Sequence, residues 1–222
     1  KFQIADGQGQ LNFKMESNSS EDKVTLNFSL KDASKSLLIQ DIIRAKKSGF
    51  IDKFSTNDNE LDNVDNVPST KGTLSLSLQA EGPLNNPLQF EGTGIIHLKE
   101  PKIGQINLFG KISEGLSNLK IPLPSDAFSF NELIIPFVLN NETMTFDNLN
   151  LTGPLSKVQA EGSFNLSSGT IDLIAKLSLI GNIPLPIIRN LIQLADPLSK
   201  IAEIKMTGNY QNPKWELLIS NN

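Results

Sequence analysis

Cysteine is absent from all 222 residues, and histidine, tryptophan and tyrosine occur once each. Without thiols there is no disulfide, no thiolate zinc site and no cysteine nucleophile. The lack of thiols also fits a compartment that would oxidise them. A lone histidine, His97, leaves any transition-metal site to carboxylates, and no clustered spacing provides one, so no metal or cofactor is expected. No apolar run approaches the roughly 20 residues that cross a bilayer as a helix. Charge of one sign is missing too: 20 basic residues stand against 24 acidic ones, net −4, with no block of like charges. Nucleic acid is therefore not an expected partner, because displacing counterions from phosphates requires a basic face. The chain opens at Lys1 and shows neither the charged nor the apolar region of a signal peptide. It is read as part of a longer protein, with any anchor or export signal upstream.

What the sequence does have is alternation with a period of two. Leu11, Phe13 and Met15 alternate with Asn12, Lys14 and Glu16, and Val24, Leu26, Phe28 and Leu30 with Thr25, Asn27, Ser29 and Lys31. Leu74, Leu76, Leu78 and Ala80 alternate with Thr73, Ser75, Ser77 and Gln79; Val158, Ala160, Phe164 and Leu166 with Gln159, Glu161, Ser163 and Asn165. One greasy and one wet face per strand is the pattern of antiparallel sheet. Met144 and Phe146 sit on even positions but Leu149 and Leu151 on odd ones, and a similar slip separates Phe128 and Phe130 from Leu133 to Leu139. One extra residue reverses every later side chain unless a bulge absorbs it, so bulges or bends are expected near Asn148 and Asn131.

Helical spacing appears three times. Ser34 can cap a helix with Leu38, Ile39, Ile42 and Ile43 on one face, ending at Gly49. Ile106, Phe109, Ile112, Leu116 and Leu119 recur at three- and four-residue steps. Pro186 suits a first helical turn, followed by Ile187, Ile188, Leu191, Ile192 and Ala195. Residues 52–70 are rich in Asn, Asp, Ser and Thr and read as a mobile surface loop. The expected fold is mainly β (α+β): a curved, mostly antiparallel sheet, groove-like or partly closed, with two or three short helices packed on it. Residues 1–70 form N-terminal hairpins plus a helix and the loop, continuous with an upstream sheet, and 71–222 a second β module.

A Gly-containing turn pattern recurs at Glu81-Gly82-Pro83-Leu84, Thr152-Gly153-Pro154-Leu155 and Thr207-Gly208-Asn209-Tyr210, each joining two strands as a hairpin. The order of elements from Gly92 onward, with the runs GTGIIHL at 92–98, FDNLNLTGPLSKVQAEGSFNLSSGTIDL at 146–173 and IKMTGNYQNPKWEL at 204–217, resembles the C-terminal region of AsmA-like proteins. That family includes the TamB-type and related bridge-like lipid transfer proteins. The resemblance spans residues 88–219; the first 70 share only the hairpin style. It implies an inner-membrane-anchored protein of the Gram-negative envelope, with a β-sheet in the periplasm that carries phospholipid acyl chains toward the outer membrane. It supplies no catalytic residues.

His97 shares the polar positions of its strand with Gln89, Glu91 and Thr93 and reads as a solvated strand histidine. The acidic stretch Asp58 to Asp65 lacks the glycine and closing glutamate of an EF-hand loop. No serine sits in a G-x-S-x-G elbow, so an enzyme is not expected. The candidate site is apolar: Leu74, Leu76, Leu78, Phe90, Ile135, Phe137, Ile171, Leu173 and Leu177 are either plain core or the lining of a groove for acyl chains. The helix carrying Ile187, Ile188, Leu191 and Ile192 is expected to cap that groove. The expected function is non-catalytic lipid handling, with phospholipid acyl chains and envelope proteins as partners. The rival reading is a structural or protein-interaction scaffold.

Overall fold

The computed structural model describes residues 1–17, 22–38, 40–41, 72–100, 130–179, 201–210 and 212–218. The alternating segments all become strands: β1 Phe2–Ile4, β2 Gly7–Ser17, β3 Asp22–Ser34, β4 Thr73–Pro83, β5 Glu91–Lys99, β6 Glu132–Asn140, β7 Thr143–Thr152, β8 Ser156–Asn165, β9 Thr170–Leu179, β10 Ile201–Asn209 and β11 Lys214–Leu218. They form one sheet in strict sequence order from β1 to β11, every neighbouring pair antiparallel. The sheet is not closed: β1 and β11 are its two edges. It runs unbroken past residue 70, because β3 pairs with β4 from Lys23↔Pro83 to Ser34↔Thr73.

Because the order is a simple meander, successive turns fall at alternate ends of the sheet. At one end the strands are joined by short turns. There the Asn165 carboxamide oxygen accepts from the backbone of Ser167 and Ser168 at 3.1 and 2.8 Å, tying down the β8–β9 turn. A 3-10 turn at Pro87–Gln89, capped by Asn86, serves β4–β5. At the opposite end lie the β1–β2 and β7–β8 turns and the strand termini bounding the three long connections, 35–72, 100–131 and 180–200. The β1–β2 turn places Ala5 and Asp6 at φ 49° and 62°, as a type I′ turn needs.

The bulge expected at Asn148 is present. Between Phe146 and Leu149, β7 spends three steps where β8 spends two, from Gly162 to Ala160. The same extra residue shows on the other side, where Ile134–Val138 of β6 faces Thr145–Asn150. Pro136, which has no N–H to give a ladder, stands opposite this break, and there a strand-interior proline costs little. The bulge or bend expected near Asn131 falls at the entry to β6: the Asn131 C=O accepts from Glu100 N at 3.0 Å while its N–H donates to Thr152 O at 2.9 Å, two opposite neighbours that a regular strand residue does not serve together. The phase change arises because Phe130 precedes the strand and folds onto the Leu151, Val158 and Leu177 cluster. A further bulge lies in β3 between Leu30 and Ala33, with Asp32 at φ 53°.

The two or three packed helices are not seen among the described residues. Helix is confined there to 35–38 and 40–41. It begins as read, with Ser34 Oγ accepting from the Leu37 N–H at 3.5 Å, and Leu37 and Leu38 pack on Ala5, Leu30 and Ala33. The segments 103–119 and 186–195 and the loop 52–70 lie outside the described residues, as does the acidic stretch 58–65. Among the described residues, the face is covered by the strands' own side chains, Phe130, Leu37 and Leu38.

Candidate functional site

Antiparallel partners point to the same side, so the registers assign every strand residue to a face. On one face the rung Leu74, Leu98, Leu133, Leu151, Val158, Leu177 crosses from β4 to β9 without a polar residue. A second rung runs Leu30, Leu76, Ile96, Ile135, and a third Leu11, Phe28, Leu78, Gly94, Phe137. Nearer the short-turn end, Phe13, Leu26, Ala80, Gly92, Leu139, Met144, Phe164 and Ile171 complete a fourth. All the described strands belong to this one sheet, so no second described sheet is stacked on this face.

All nine sequence-nominated residues belong to it. Leu76, Leu78, Ile135, Phe137, Ile171 and Leu173 pack in one cluster with Phe146 and Met206, and Leu177 joins Phe130, Leu151 and Val158 in the next. Leu74 stands at the start of the first rung. Phe90 precedes β5 and lies over Gly82, where an added Cβ would sit 2.5 Å from its ring. Phe137 covers Gly94 in the same way, at 2.2 Å, so glycine lets these rings lie along the sheet. Ile187, Ile188, Leu191 and Ile192 of the expected capping helix lie outside the described residues.

Sequence reasoning passed over Phe130, Phe146, Leu151, Val158, Ile204 and Met206 as site residues, though all are buried on this face. The available signal was the hairpin itself: carrying the alternation of β4 through each turn puts every later apolar position on the same side. Ser156, also on this side by register, is fully buried, and its hydroxyl has no hydrogen-bond partner among the described residues.

The opposite face is polar. His97 Nε2 meets Glu132 Oε1 at 2.7 Å, with Lys99 Nζ 3.9 Å from the same oxygen. Lys23 and Glu81 pair at 2.8 Å, a hydrogen bond that raises the Lys23 pKa, and Lys176 meets Glu203 at 3.4 Å. Ile95, Ile134, Pro136 and Val138 interrupt this face with a small apolar island, Ile95 and Val138 being exposed. Among the described residues no group of three His, Asp or Glu side chains is placed to hold a metal ion, and no helix is long and apolar enough to cross a membrane. Searches against protein-family models, curated proteins and solved structures find no match.

Proposed function

We propose that this chain is a non-catalytic lipid-handling module of an AsmA-like envelope protein, its apolar sheet face shielding phospholipid acyl chains during transport or outer-membrane assembly. One observation carries the reading. The described strands form one sheet whose registers set most of their apolar positions on a single side, and no second described sheet is stacked against it. Large contiguous apolar surface on a folded protein marks a partner or a ligand. An acyl chain suits this surface because it asks for no hydrogen bond and is held by removal of apolar area from water, at about 25 cal/mol per Å². Head groups then remain outside, among the charges at the strand ends, and discrimination between them is slight. The sequence resemblance supports the same setting, with the full protein anchored in the inner membrane and this module in the periplasm.

The test is native mass spectrometry with lipid extraction on the purified chain. Phospholipid should co-purify at defined stoichiometry and be lost in Leu76→Asp and Leu78→Asp variants whose circular dichroism is unchanged. A lipid-free protein that also ignores fluorescent phospholipid favours the scaffold reading.

A further inference from the structure

The polar face is not uniform. On β8, β9 and β10 it carries two charges to a strand: Lys157 and Glu161, Asp172 and Lys176, Glu203 and Lys205. From β2 to β5 two neighbouring rungs carry none. One is Asn12, Asn27, Gln79 and Thr93, the other Gln10, Ser29 and Ser77. Charge returns one rung away, at Lys14, Glu81 and Glu91 on one side and at Lys31 on the other. The amides of this patch are also unspent. Asn150, Asn165 and Asn209 give theirs to Asn148, to the β8–β9 turn and to Ser168. Among the described residues, none of the side chains in the two uncharged rungs has a hydrogen-bond partner. Each rung then runs into an exposed aliphatic side chain: Thr93 faces Val138, 41% exposed, and Ser77 faces Ile95, 43% exposed.

We propose that this patch binds an uncharged, extended β-linked glycan lying across the strands. Neighbouring strands stand about 4.8 Å apart, so a rung offers hydrogen-bonding groups at a repeat close to the length of one sugar ring in an extended chain. Each carboxamide supplies both donors and an acceptor, as the hydroxyl and acetamido groups of a sugar require. The C–H faces of the rings then lie against Ile95 and Val138. The same pattern argues against other occupants. Nucleic acid and anionic membrane need clustered basic side chains, and a charged peptide finds no opposite charge within the patch. A carboxylate-bearing glycan would lose hydration there without gaining an ion pair. Amide ladders also pack on one another in dry interfaces between sheets, so a second copy laid face to face is the rival to separate.

The test is isothermal titration calorimetry of the purified, lipid-free chain with the hexamer of β-1,4-linked N-acetylglucosamine. It should bind with a Kd of about 1 mM or tighter. With no ion pair to screen, the affinity should hold within about twofold from about 0.05 to 0.5 M salt. A hyaluronan hexasaccharide, with a carboxylate on every second ring, should bind at least about tenfold more weakly. Asn27→Ala combined with Gln79→Ala should weaken the hexamer by about tenfold or more. Gln159→Ala, the same kind of change among the charges of β8, should leave it within about twofold. Absence of binding up to about 10 mM overturns the proposal. So does equal binding of hyaluronan, an equal loss in Gln159→Ala, or a dimer in sedimentation that the double variant dissociates. The salt and hyaluronan comparisons use the unmodified chain and so do not depend on how any variant folds. The patch and the apolar face lie on opposite sides of the sheet, so the glycan and lipid readings can each fail alone.

Discussion

The apolar face has two unlike halves. On β2, Leu11, Phe13 and Met15 are about half exposed or more, whereas on β7 to β10 Leu151, Val158, Leu173, Leu177, Ile204 and Met206 range from 2% to 8%. The two stretches carry the same alternation and point the same way. Among the described residues the two also differ in their neighbours: β1 pairs with β2 over three residues, while each of the later strands is flanked for most of its length and crossed by rungs of large side chains. A face whose side chains are already packed resists substitution for structural reasons. A face whose side chains meet water resists it only when something binds there.

The sharpest way to break this comparison is at the β7 bulge. Phe146→Asp, which sets an unpaired carboxylate at a buried position beside the bulge, should destabilise by more than about 4 kcal/mol. The cooperative urea transition should be lost. Next, Leu151→Ala should cost about 3 kcal/mol by leaving a cavity beneath Phe130, while Phe13→Ala stays within about 0.5 kcal/mol. Urea midpoints for both variants test the contrast, and equal losses would mean that the β2 side is covered in solution. The smallest effect has the opposite sign. Ser156→Ala removes a buried hydroxyl without a partner and should stabilise by about 1 kcal/mol. A loss of stability there would show that the hydroxyl is satisfied in solution.

Much of this was legible in the sequence, and for definite reasons. The Thr73 to Ala80 alternation names its face because a strand has period two, and the phase change across Asp147-Asn148 located a bulge because only an inserted residue restores the face. The three Gly-containing turns joined strand pairs as read. The slip at Asn131 was legible in the same way, since Phe130 and Leu133, three residues apart, pack on one side. Pro136 sits inside a central strand because the bulge opposite it removes the need for its N–H. Burial was not legible at all: Phe13 and Phe137 are identical in pattern, and only the register shows which of them has neighbours on both sides.

The meander has a kinetic meaning as well. Every ladder joins strands adjacent in the chain, so assembly proceeds like closing a zip, each hairpin laying down the template for the next. Three stages are slower, β3 onto β4, β5 onto β6 and β9 onto β10, because each must close a long connection, although the entropy of closure grows only as the logarithm of its length. Stability in such an array is close to a sum of nearest-neighbour contributions, as in repeat proteins. A hairpin can accordingly be added to or removed from the series without redesigning the strands that remain, and the width of the sheet follows from the number of hairpins alone.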